Sequence, residues 1–385
     1  MADTKQQLGQ FFTKNSDYIL KGLNKYVRDK NIIDPFAGNG DLIKWAKKNK
    51  VKNIKGYDID DKYINNKNVF LNDSVNNQLK YDFVLTNPPY LNVNKADQDT
   101  KEKYFKNFDF EDLYQISLFS ILNSNEGIVI VPINFLSAEN SKKIRNIFFS
   151  KFKIIEMNYF KQQVFPDTTY NVIAFYYKRK NYFENQFLIK TYVYPDNKIV
   201  RIRLKKDFDW TIGGEFSKEI RDRANLLGIY RLTEKDISGQ TGLIEINASY
   251  NHVKTRLKIK VSEDVYKIIK SNIILLKAID SGSDIGKIAL EDIRKYGTDC
   301  LISKLSSRHM IYLVFKKQIS VAEQKKIIEL FNKEINKLRE FYLSLFLTNY
   351  RDNDRKRISF DFTYKFINYL YYNKLNYDKT QSVLF

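Results

Sequence analysis

The first 180 residues alternate between short strand-like segments and longer helix-like segments. The strand-like segments are rich in Ile, Val and aromatic residues and end at Gly, Pro, Asn or Asp; in chain order they are NIIDP, NIKGYDI, YDFVLTN, GIVIVPI, KIIEMNY and YNVIAFYYKR. Between them, GDLIKWAKKNK and AENSKKIRNIFFSKF have the spacing of amphipathic helices. This alternation predicts an α/β fold with a doubly wound, mostly parallel sheet, in which ligands bind at the carboxyl ends of the strands.

The pattern changes after about residue 180. Strand-like pieces (FLIKTYVY, KIVRIRL, MIYLVF) mix with a helix-like SEDVYKIIKSNIILLKAI, without regular alternation. The later stretch SVAEQKKIIELFNKEINKLREFYLSLFL predicts one amphipathic helix of about seven turns. We therefore predict an N-terminal domain over residues 1–182 and, over residues 183–385, a C-terminal α+β domain that ends in a long helix.

The chain is strongly basic, with 65 Lys and Arg against 45 Asp and Glu and a formal charge of +20. Residues 1–180 contain 28 basic and 20 acidic residues, a net +8, which leaves +12 for the remainder. Both halves could therefore face a polyphosphate. The same excess could instead reflect an AT-rich genome, because Lys, Asn, Ile and Tyr are all abundant.

Several classes of protein are disfavoured by what the sequence contains. The single cysteine, Cys300, excludes an intramolecular disulfide, and two histidines leave too few ligands for a zinc site. No stretch of about 18 apolar residues could span a membrane, and the first residues do not resemble a signal peptide. We expect a soluble, cytoplasmic, metal-independent protein that acts as a monomer.

The segment YDFVLTNPPY, residues 81–90, ends a predicted strand on a rigid tetrapeptide. Pro88 and Pro89 have fixed φ angles and no N–H group, so the ladder cannot continue through them. Asn87 is held extended, which fixes its side chain and the nearby carbonyl groups beside the ring of Tyr90. The alternative interpretation is a strand terminator followed by a surface tyrosine.

Three aspartates also follow predicted strands. Asp34 precedes a turn containing Gly38 and Gly40 and then a helix, an arrangement in which a ligand can approach the backbone closely. Ile43 replaces the third glycine of a dinucleotide-binding turn, which disfavours a nicotinamide or flavin site. Asp58 lies where a carboxylate can accept hydrogen bonds from ribose hydroxyl groups, and Asp73 could accept one from an adenine amine. Each aspartate alone could be an ordinary turn or capping residue.

Taken together, DPFAGNG, YDID, NDS and TNPPY resemble the successive motifs of class I S-adenosylmethionine-dependent methyltransferases, specifically the amino-methyltransferases of DNA. LGQFFT, residues 8–13, resembles the motif that contacts the methionine end of the cofactor, and GIVIVPINFL and QQVFPDTTYNVIAFYYK resemble later strand motifs. The resemblance extends from residue 8 to about residue 180. The motif order is similar to that of the γ class of N6-adenine methyltransferases, including type II restriction-modification enzymes, whose C-terminal region recognises DNA.

This resemblance implies roles for particular residues. Asn87 and the carbonyl group of Pro88 would accept the two hydrogens of a target amine, as preorganised acceptors rather than a general base. Tyr90 would stack on a base flipped out of the duplex, with Phe165 as the second aromatic and Tyr170 or Phe175 as substitutes. The residues expected around the cofactor are Phe11 or Phe12, Thr13, Asp34, Ala37, Gly38, Gly40, Asp58, Asp73 and Ser74.

The resemblance also implies a substrate and partners. Asn at the first position of the tetrapeptide is typical of adenine-N6 enzymes, so we expect methylation of adenine in double-stranded DNA, with the C-terminal domain recognising the target. Protection from a cognate restriction endonuclease is the leading biological role, and a solitary methylase is the second. An RNA adenine methyltransferase, a protein glutamine methyltransferase and an inactive DNA-specificity module remain alternatives.

Overall fold

A computed structural model describes residues 12–166, 170–237, 242–280, 287–343, 347–349 and 355–375. Phe11, and Asp167 to Thr169 of the predicted aromatic segment, lie outside these described residues. The chain divides into two compact units, with the division between Gly214 and Glu215.

The first unit is built on one nine-stranded sheet. The strands are β1 Asn31–Asp34, β2 Asn53–Asp58, β3 Val69–Leu71, β4 Tyr81–Thr86, β5 Ser124–Pro132, β6 Phe152–Phe160, β7 Val172–Arg179, β8 Gln186–Tyr194 and β9 Lys198–Lys205. Their order across the sheet is β3-β2-β1-β4-β5-β7-β6-β8-β9. Strands β7 and β9 pair antiparallel to their neighbours and the other pairings are parallel, which confirms the predicted mostly parallel α/β sheet.

The helices of the first unit connect these strands. They are α1 Ser16–Ile19, α2 Asp41–Lys48, α3 Gln98–Thr100, α4 Leu113–Ser120, α5 Asn134–Ser137 and α6 Lys142–Lys151, with a π-helical turn at Lys101–Phe105. Helix α2 buries Leu42, Ile43, Trp45 and Ala46, whose three- and four-residue spacing places them on one face. Both amphipathic helices predicted in this unit, α2 and α6, are confirmed.

The sheet extends further along the chain than the sequence pattern indicated. Strands β8 and β9 lie after the expected boundary near residues 180–185, yet they pair with β6 and with each other. They are not preceded by crossover helices, so the alternation that identified the earlier strands is missing. The N-terminal unit therefore includes about thirty residues beyond the predicted boundary.

The second unit contains smaller sheets and a long helix. Its strands are β10 Ile229–Arg231, β11 Ile244–Tyr250, β12 His252–Val261, β13 Ile274–Lys277, β14 Ala289–Asp292, β15 Cys300–Ile302, β16 Met310–Phe315, β17 Thr348–Asn349 and β18 Lys356–Arg357. They form sheets in the orders β10-β16-β13-β14, β12-β11-β15 and β17-β18. The helices are α7 Gly214–Arg221, α8 Glu234–Ile237, α9 Glu263–Ser271, α10 Val321–Tyr342 and α11 Phe360–Leu370.

The predicted long helix is confirmed as α10. Ser320 and Glu323 form a capping box at its start, and Ile327, Phe331 and Ile335 are buried at four-residue spacing. The helix predicted over SEDVYKIIKSNIILLKAI is only half correct, because α9 ends at Ser271 and the following Ile-Leu-Leu run forms β13. A short apolar run fits a buried strand or a buried helix equally well, and pairing with β14 and β16 decides between them.

Within the described ranges, none of the helices combines the length and the apolar character needed to cross a lipid bilayer.

Candidate active site

The carboxyl ends of β1, β2, β3 and β4 surround a cleft of about 780 Å³, open solvent included. The predicted residues that line the cleft are Phe12, Thr13, Asp34, Ala37, Gly38, Asp58, Asp73, Ser74, Asn87 and Pro89. The sequence therefore identified residues that are far apart along the chain and close together in the fold.

The glycine turn after β1 has the geometry of a close ligand approach. Gly38 and Gly40 have positive φ angles of 50° and 79°, which favour glycine. A side chain at Gly38 would project towards the ring of Phe12, 3.7 Å away. Gly40 does not line the cleft; it precedes α2 in the left-handed conformation and so allows the tight entry into that helix.

Asp58 fixes the glycine turn at the end of β2. One carboxylate oxygen accepts the backbone N–H of Gly38 at 2.7 Å, and the other accepts that of Asp60 at 2.9 Å. Burial raises the pKa of this carboxyl group, and the two backbone hydrogen bonds oppose that effect. A carboxylate has about four acceptor positions, so Asp58 can still accept hydrogen bonds from a ligand.

Asp73 and Ser74 lie after β3 in a turn that Asp73 itself caps. One oxygen of Asp73 accepts the backbone N–H groups of Val75 and Asn76, both at 3.3 Å. The other faces the hydroxyl group of Tyr104 and the ammonium group of Lys103, both at 3.4 Å. Asp73 is thus a turn-capping residue and a wall of the cleft at the same time.

Asp34 is fully buried and directly contacts the fourth strand. Its Oδ1 atom accepts the hydroxyl group of Thr86 at 2.8 Å and the backbone N–H of Phe36 at 3.2 Å. Its Oδ2 atom has no hydrogen-bond partner among the described residues. Burial raises the pKa of Asp34 to about 7, although both hydrogen bonds favour the charged form. A buried oxygen without a partner beside a cleft is available to a ligand that carries a donor.

The side chain of Asn87 is held between two residues. Its Nδ2 atom donates to the hydroxyl oxygen of Thr13 at 3.1 Å, and its Oδ1 atom accepts from the hydroxyl group of Tyr90 at 2.7 Å. The Tyr90 hydroxyl oxygen also lies 2.9 Å from the carbonyl oxygen of Ile130 on β5. A phenol has one proton, so Tyr90 can donate fully to only one of these acceptors.

The aromatic residues predicted around a target base are packed against one another. The rings of Tyr90 and Phe165 are 6.5 Å apart at 73°, edge to face, and both residues are buried. Two rings that hold a base between their faces must be nearly parallel, so this pair would have to rearrange to do so. Phe175 lies in β7, stacked on Phe135, and is part of the hydrophobic core; Tyr170 is partly exposed. Pro88 and Tyr90 do not line the cofactor cleft itself.

Two residues of the site were not singled out from the sequence. Thr86, which binds Asp34, stands directly before the tetrapeptide and could have been found as the last polar residue of β4. Tyr104 reaches the cleft from the segment that follows Tyr90. Its burial depends on the π-helical turn at Lys101–Phe105, which has no clear sequence signal.

Residues 10–165 match the family model of the Eco57I restriction-modification methylases. No curated protein sequence matches the chain. Among solved structures, the chain is similar to the type IIG restriction endonuclease BpuSI, with 13% identity, a TM-score of 0.44, and coverage of 69% of this chain and 44% of that protein.

Two further structures are similar. One is the methyltransferase subunit of a type I restriction-modification system from Streptococcus thermophilus, with 14% identity, a TM-score of 0.34, and coverage of 48% of this chain and 47% of that protein. The other is a Pyrococcus horikoshii protein provisionally described as an RNA methyltransferase, with 17% identity, a TM-score of 0.34, and coverage of 46% and 90%. The chain thus spans less than half the length of the two restriction-system proteins. Similarity at this level does not identify an activity.

The family match covers the glycine turn, the three aspartates and the Asn-Pro-Pro-Tyr tetrapeptide, and it ends at Phe165. It confirms the resemblance found in the motifs, and S-adenosylmethionine is the expected cofactor. Over residues 10–165, the chain is therefore similar to the Eco57I restriction-modification methylases.

Proposed function

We propose that this protein transfers a methyl group from S-adenosylmethionine to the exocyclic N6 of adenine in double-stranded DNA. The observation that carries the proposal is the position of Asn87. Its amide is fixed by Thr13 and Tyr90 at the end of β4, on the wall of the cleft that also contains Asp34, Asp58 and Asp73.

The polar groups of the cleft fit S-adenosylmethionine. The ligand carries ribose hydroxyl groups, an adenine amine and a cationic amino acid moiety, and the cleft presents three carboxylates. Asp58 would accept the ribose hydroxyl groups, and Asp73 with Ser74 would contact the adenine. The unpartnered oxygen of Asp34, with Thr13 and Phe12, would face the methionine end. When bound, the cofactor supplies a methyl group on a positively charged sulfur, which leaves as a neutral thioether.

Asn87 would prepare the target nitrogen for attack. The lone pair of an adenine amine is delocalised into the ring, and acceptors for both of its hydrogens favour a tetrahedral nitrogen with an available lone pair. The Oδ1 atom of Asn87 and the carbonyl oxygen of Pro88 would be these acceptors. With its lone pair available, the nitrogen would be placed to accept the methyl group, and one N6 proton would be lost to solvent.

The hydroxyl group of Tyr90 does not block this role. It occupies Oδ1 of Asn87 at 2.7 Å but has the carbonyl oxygen of Ile130 as a second acceptor at 2.9 Å. When the target amine reaches Oδ1, the tyrosine can donate entirely to Ile130. The hydrogen bond to Thr13 holds the NH₂ side of the amide, so the oxygen would be the atom that faces the base.

A target base in a duplex must leave the stack, which costs a few kcal/mol. Stacking on Tyr90 would return roughly 1–3 kcal/mol. Since Tyr90 and Phe165 meet edge to face in this structure, base entry would include a rotation of one ring.

We assign the region after residue 165 to recognition of the DNA target. The biological role would be restriction-modification in the cytoplasm, and the alternative is a solitary methylase.

The proposal is tested with purified protein, tritiated S-adenosylmethionine and duplex DNA, digested to nucleosides after the reaction. We expect label in N6-methyldeoxyadenosine, and none with the Asn87→Ala protein. Label in N4-methylcytosine would overturn the choice of base. Parallel reactions with RNA and with a cell extract of proteins test the RNA and glutamine alternatives. Cofactor binding without transfer to any of them would indicate an inactive specificity module.

A further inference from the structure

The two outer strands of the first sheet, β8 and β9, present an exposed face with three cations. The residues on this outer-strand face alternate with less exposed ones along each strand; they are Leu188, Lys190, Tyr192, Ile199, Arg201 and Arg203. Lys190 stands directly opposite Arg201, and Leu188 directly opposite Arg203. The face is thus basic, with apolar and aromatic residues between the charges.

Among the described residues, Lys190, Arg201 and Arg203 form no ion pair, and the neighbouring acids are bound elsewhere. Glu156, beside Lys190 on β6, binds Lys25 at 2.8 Å. Glu184 before β8 binds Lys153 at 2.6 Å, and Asp196 in the β8–β9 turn binds Lys161 at 3.1 Å. The positive charge of the face is therefore not neutralised by the protein around it.

This arrangement concentrates positive charge on the two outer strands, because Glu156, the carboxylate opposite Lys190 on β6, already binds Lys25. Like charges directly opposite each other on neighbouring strands repel, as Lys190 and Arg201 do here. Lys190 is only partly compensated by the ring of Tyr192, whose centroid lies 4.8 Å from its Nζ atom. A row of phosphates would remove the repulsion and would release condensed counterions.

The position of the face relative to Asn87 suits a duplex substrate. Five strand spacings separate β4 from β9, about 24 Å along the sheet at ~4.8 Å each. Arg201 is at the level of Leu85, near the end of β4, as the pairings across the sheet show. One turn of duplex DNA is about 34 Å long. A duplex that presents its target base at Asn87 can therefore extend past this face within one turn.

We propose that the outer-strand face binds the phosphate backbone of duplex DNA beside the target base. The inference rests on the proposed function in that DNA is the substrate, but it concerns binding, which is measured separately from methyl transfer. It places a DNA contact beyond residue 165, on two strands that belong to the sheet of the first unit.

The test compares two triple variants with the wild-type chain. The face variant carries Lys190→Gln, Arg201→Gln and Arg203→Gln and so loses the three positive charges of the outer-strand face. The control variant loses three positive charges from exposed lysines around β2 and β3, at the other edge of the sheet, through Lys52→Gln, Lys55→Gln and Lys67→Gln. Binding to a random-sequence DNA duplex of about three helical turns is measured over a range of salt concentrations. Each phosphate contact contributes about 0.9 to the magnitude of the slope of log association constant against log salt concentration. The slope of the face variant should therefore be smaller in magnitude by roughly 2.7, and the slope of the control variant should be almost unchanged. Calorimetric binding of S-adenosylmethionine checks that each variant is folded.

Methyl transfer to DNA is measured in the same preparations. If the wild-type chain methylates DNA and both variants retain the full slope, the face does not bind phosphate, and the proposed function stands. If the wild-type chain does not methylate DNA but the face variant alone loses slope, the phosphate site is supported and the proposed function fails. Equal slope losses in the two variants would also overturn the site, since they would reflect net charge alone.

Discussion

The hydroxyl group of Tyr90 lies 2.7 Å from the side-chain oxygen of Asn87 and donates a hydrogen bond to it, so the first and last residues of the tetrapeptide are linked through their side chains. The two prolines between them restrict the backbone that joins the two side chains, because neither can change its φ angle. In the absence of a target base, the tyrosine hydroxyl satisfies the acceptor that the reaction would need. The tetrapeptide thus avoids leaving a buried oxygen without a donor.

Replacing Asn87 by Ala should abolish most of the methyl transfer. Loss of one preorganised group of this kind lowers kcat by about 10²–10³, and we expect that range in single-turnover measurements with labelled cofactor. Asn125→Ala, at an exposed asparagine of β5, is the matched control and should keep the wild-type rate. A residual rate within tenfold of wild type for Asn87→Ala would contradict the assigned role.

The two functions of Tyr90 can be separated by two substitutions. Tyr90→Phe keeps the ring and removes the hydroxyl group, so the free energy of unfolding should fall by about 1 kcal/mol while the KM for DNA changes little. Tyr90→Ala also removes stacking worth roughly 1–3 kcal/mol, which corresponds to a KM about 5- to 150-fold higher. Denaturant unfolding and steady-state kinetics give both quantities. Equal KM values for the Phe and Ala variants would argue against stacking on Tyr90.

Asp58→Asn should weaken binding of S-adenosylmethionine. The Asn side chain has one acceptor oxygen in place of two, and its NH₂ group would face the backbone N–H of Gly38 or Asp60. We expect a Kd at least tenfold higher by isothermal titration calorimetry, from lost ribose contacts and a disturbed glycine turn. Asp82→Asn, at an exposed position of β4, should leave the Kd unchanged. Unchanged affinity in Asp58→Asn would remove this residue from the cofactor site.

Asp34 should make stability depend on pH. Its pKa is raised from 3.8 to about 7 in the folded protein, so the folded state holds a proton that the unfolded state has released between these values. The resulting stabilisation is complete below about pH 4 and is lost as the pH rises through 7. Each pKa unit corresponds to about 1.4 kcal/mol, so the free energy of unfolding without cofactor should fall by a few kcal/mol relative to Asp34→Asn across this range. If the free energies of unfolding of the two proteins changed in parallel between about pH 4 and pH 7, Asp34 would be ionised over this whole range, against the prediction.

The sequence predicted those site residues that share one local pattern, a polar residue at the end of a strand. Each of Asp34, Asp58, Asp73 and Asn87 follows a strand, and parallel strands bring their carboxyl ends together, so their convergence follows from chain order. Gly56 could not be identified by such a pattern, because it lies inside β2. A Cβ atom there would come within 2.6 Å of Ala37 and 2.7 Å of Ile43. Only the three-dimensional packing of β2 against the glycine turn makes that glycine necessary.

The aromatic partners were less predictable for a similar reason. Phe175 and Phe165 follow one another closely in the sequence, but the pairing of β7 with β5 and β6 directs Phe175 into the core. A one-residue change of register would reverse its direction, and the sequence around it does not reveal the register. Strands β8 and β9 were likewise assigned to the wrong side of the boundary, because β8 pairs parallel with β6 without a helix before it and β9 follows β8 in a hairpin, so neither shows the helix that marks a parallel crossover.

The late strands of the sheet determine where the chain can be shortened. Strand β6 is nine residues long and largely buried, and β8 covers one of its edges. A protein ending at residue 182 would expose that edge as a row of unpaired N–H and C=O groups beside apolar side chains, which is a template for intermolecular pairing. Such a fragment would contain the whole segment that matches the family model and would still self-associate, whereas a fragment ending near Gly214 would retain its own edge protection.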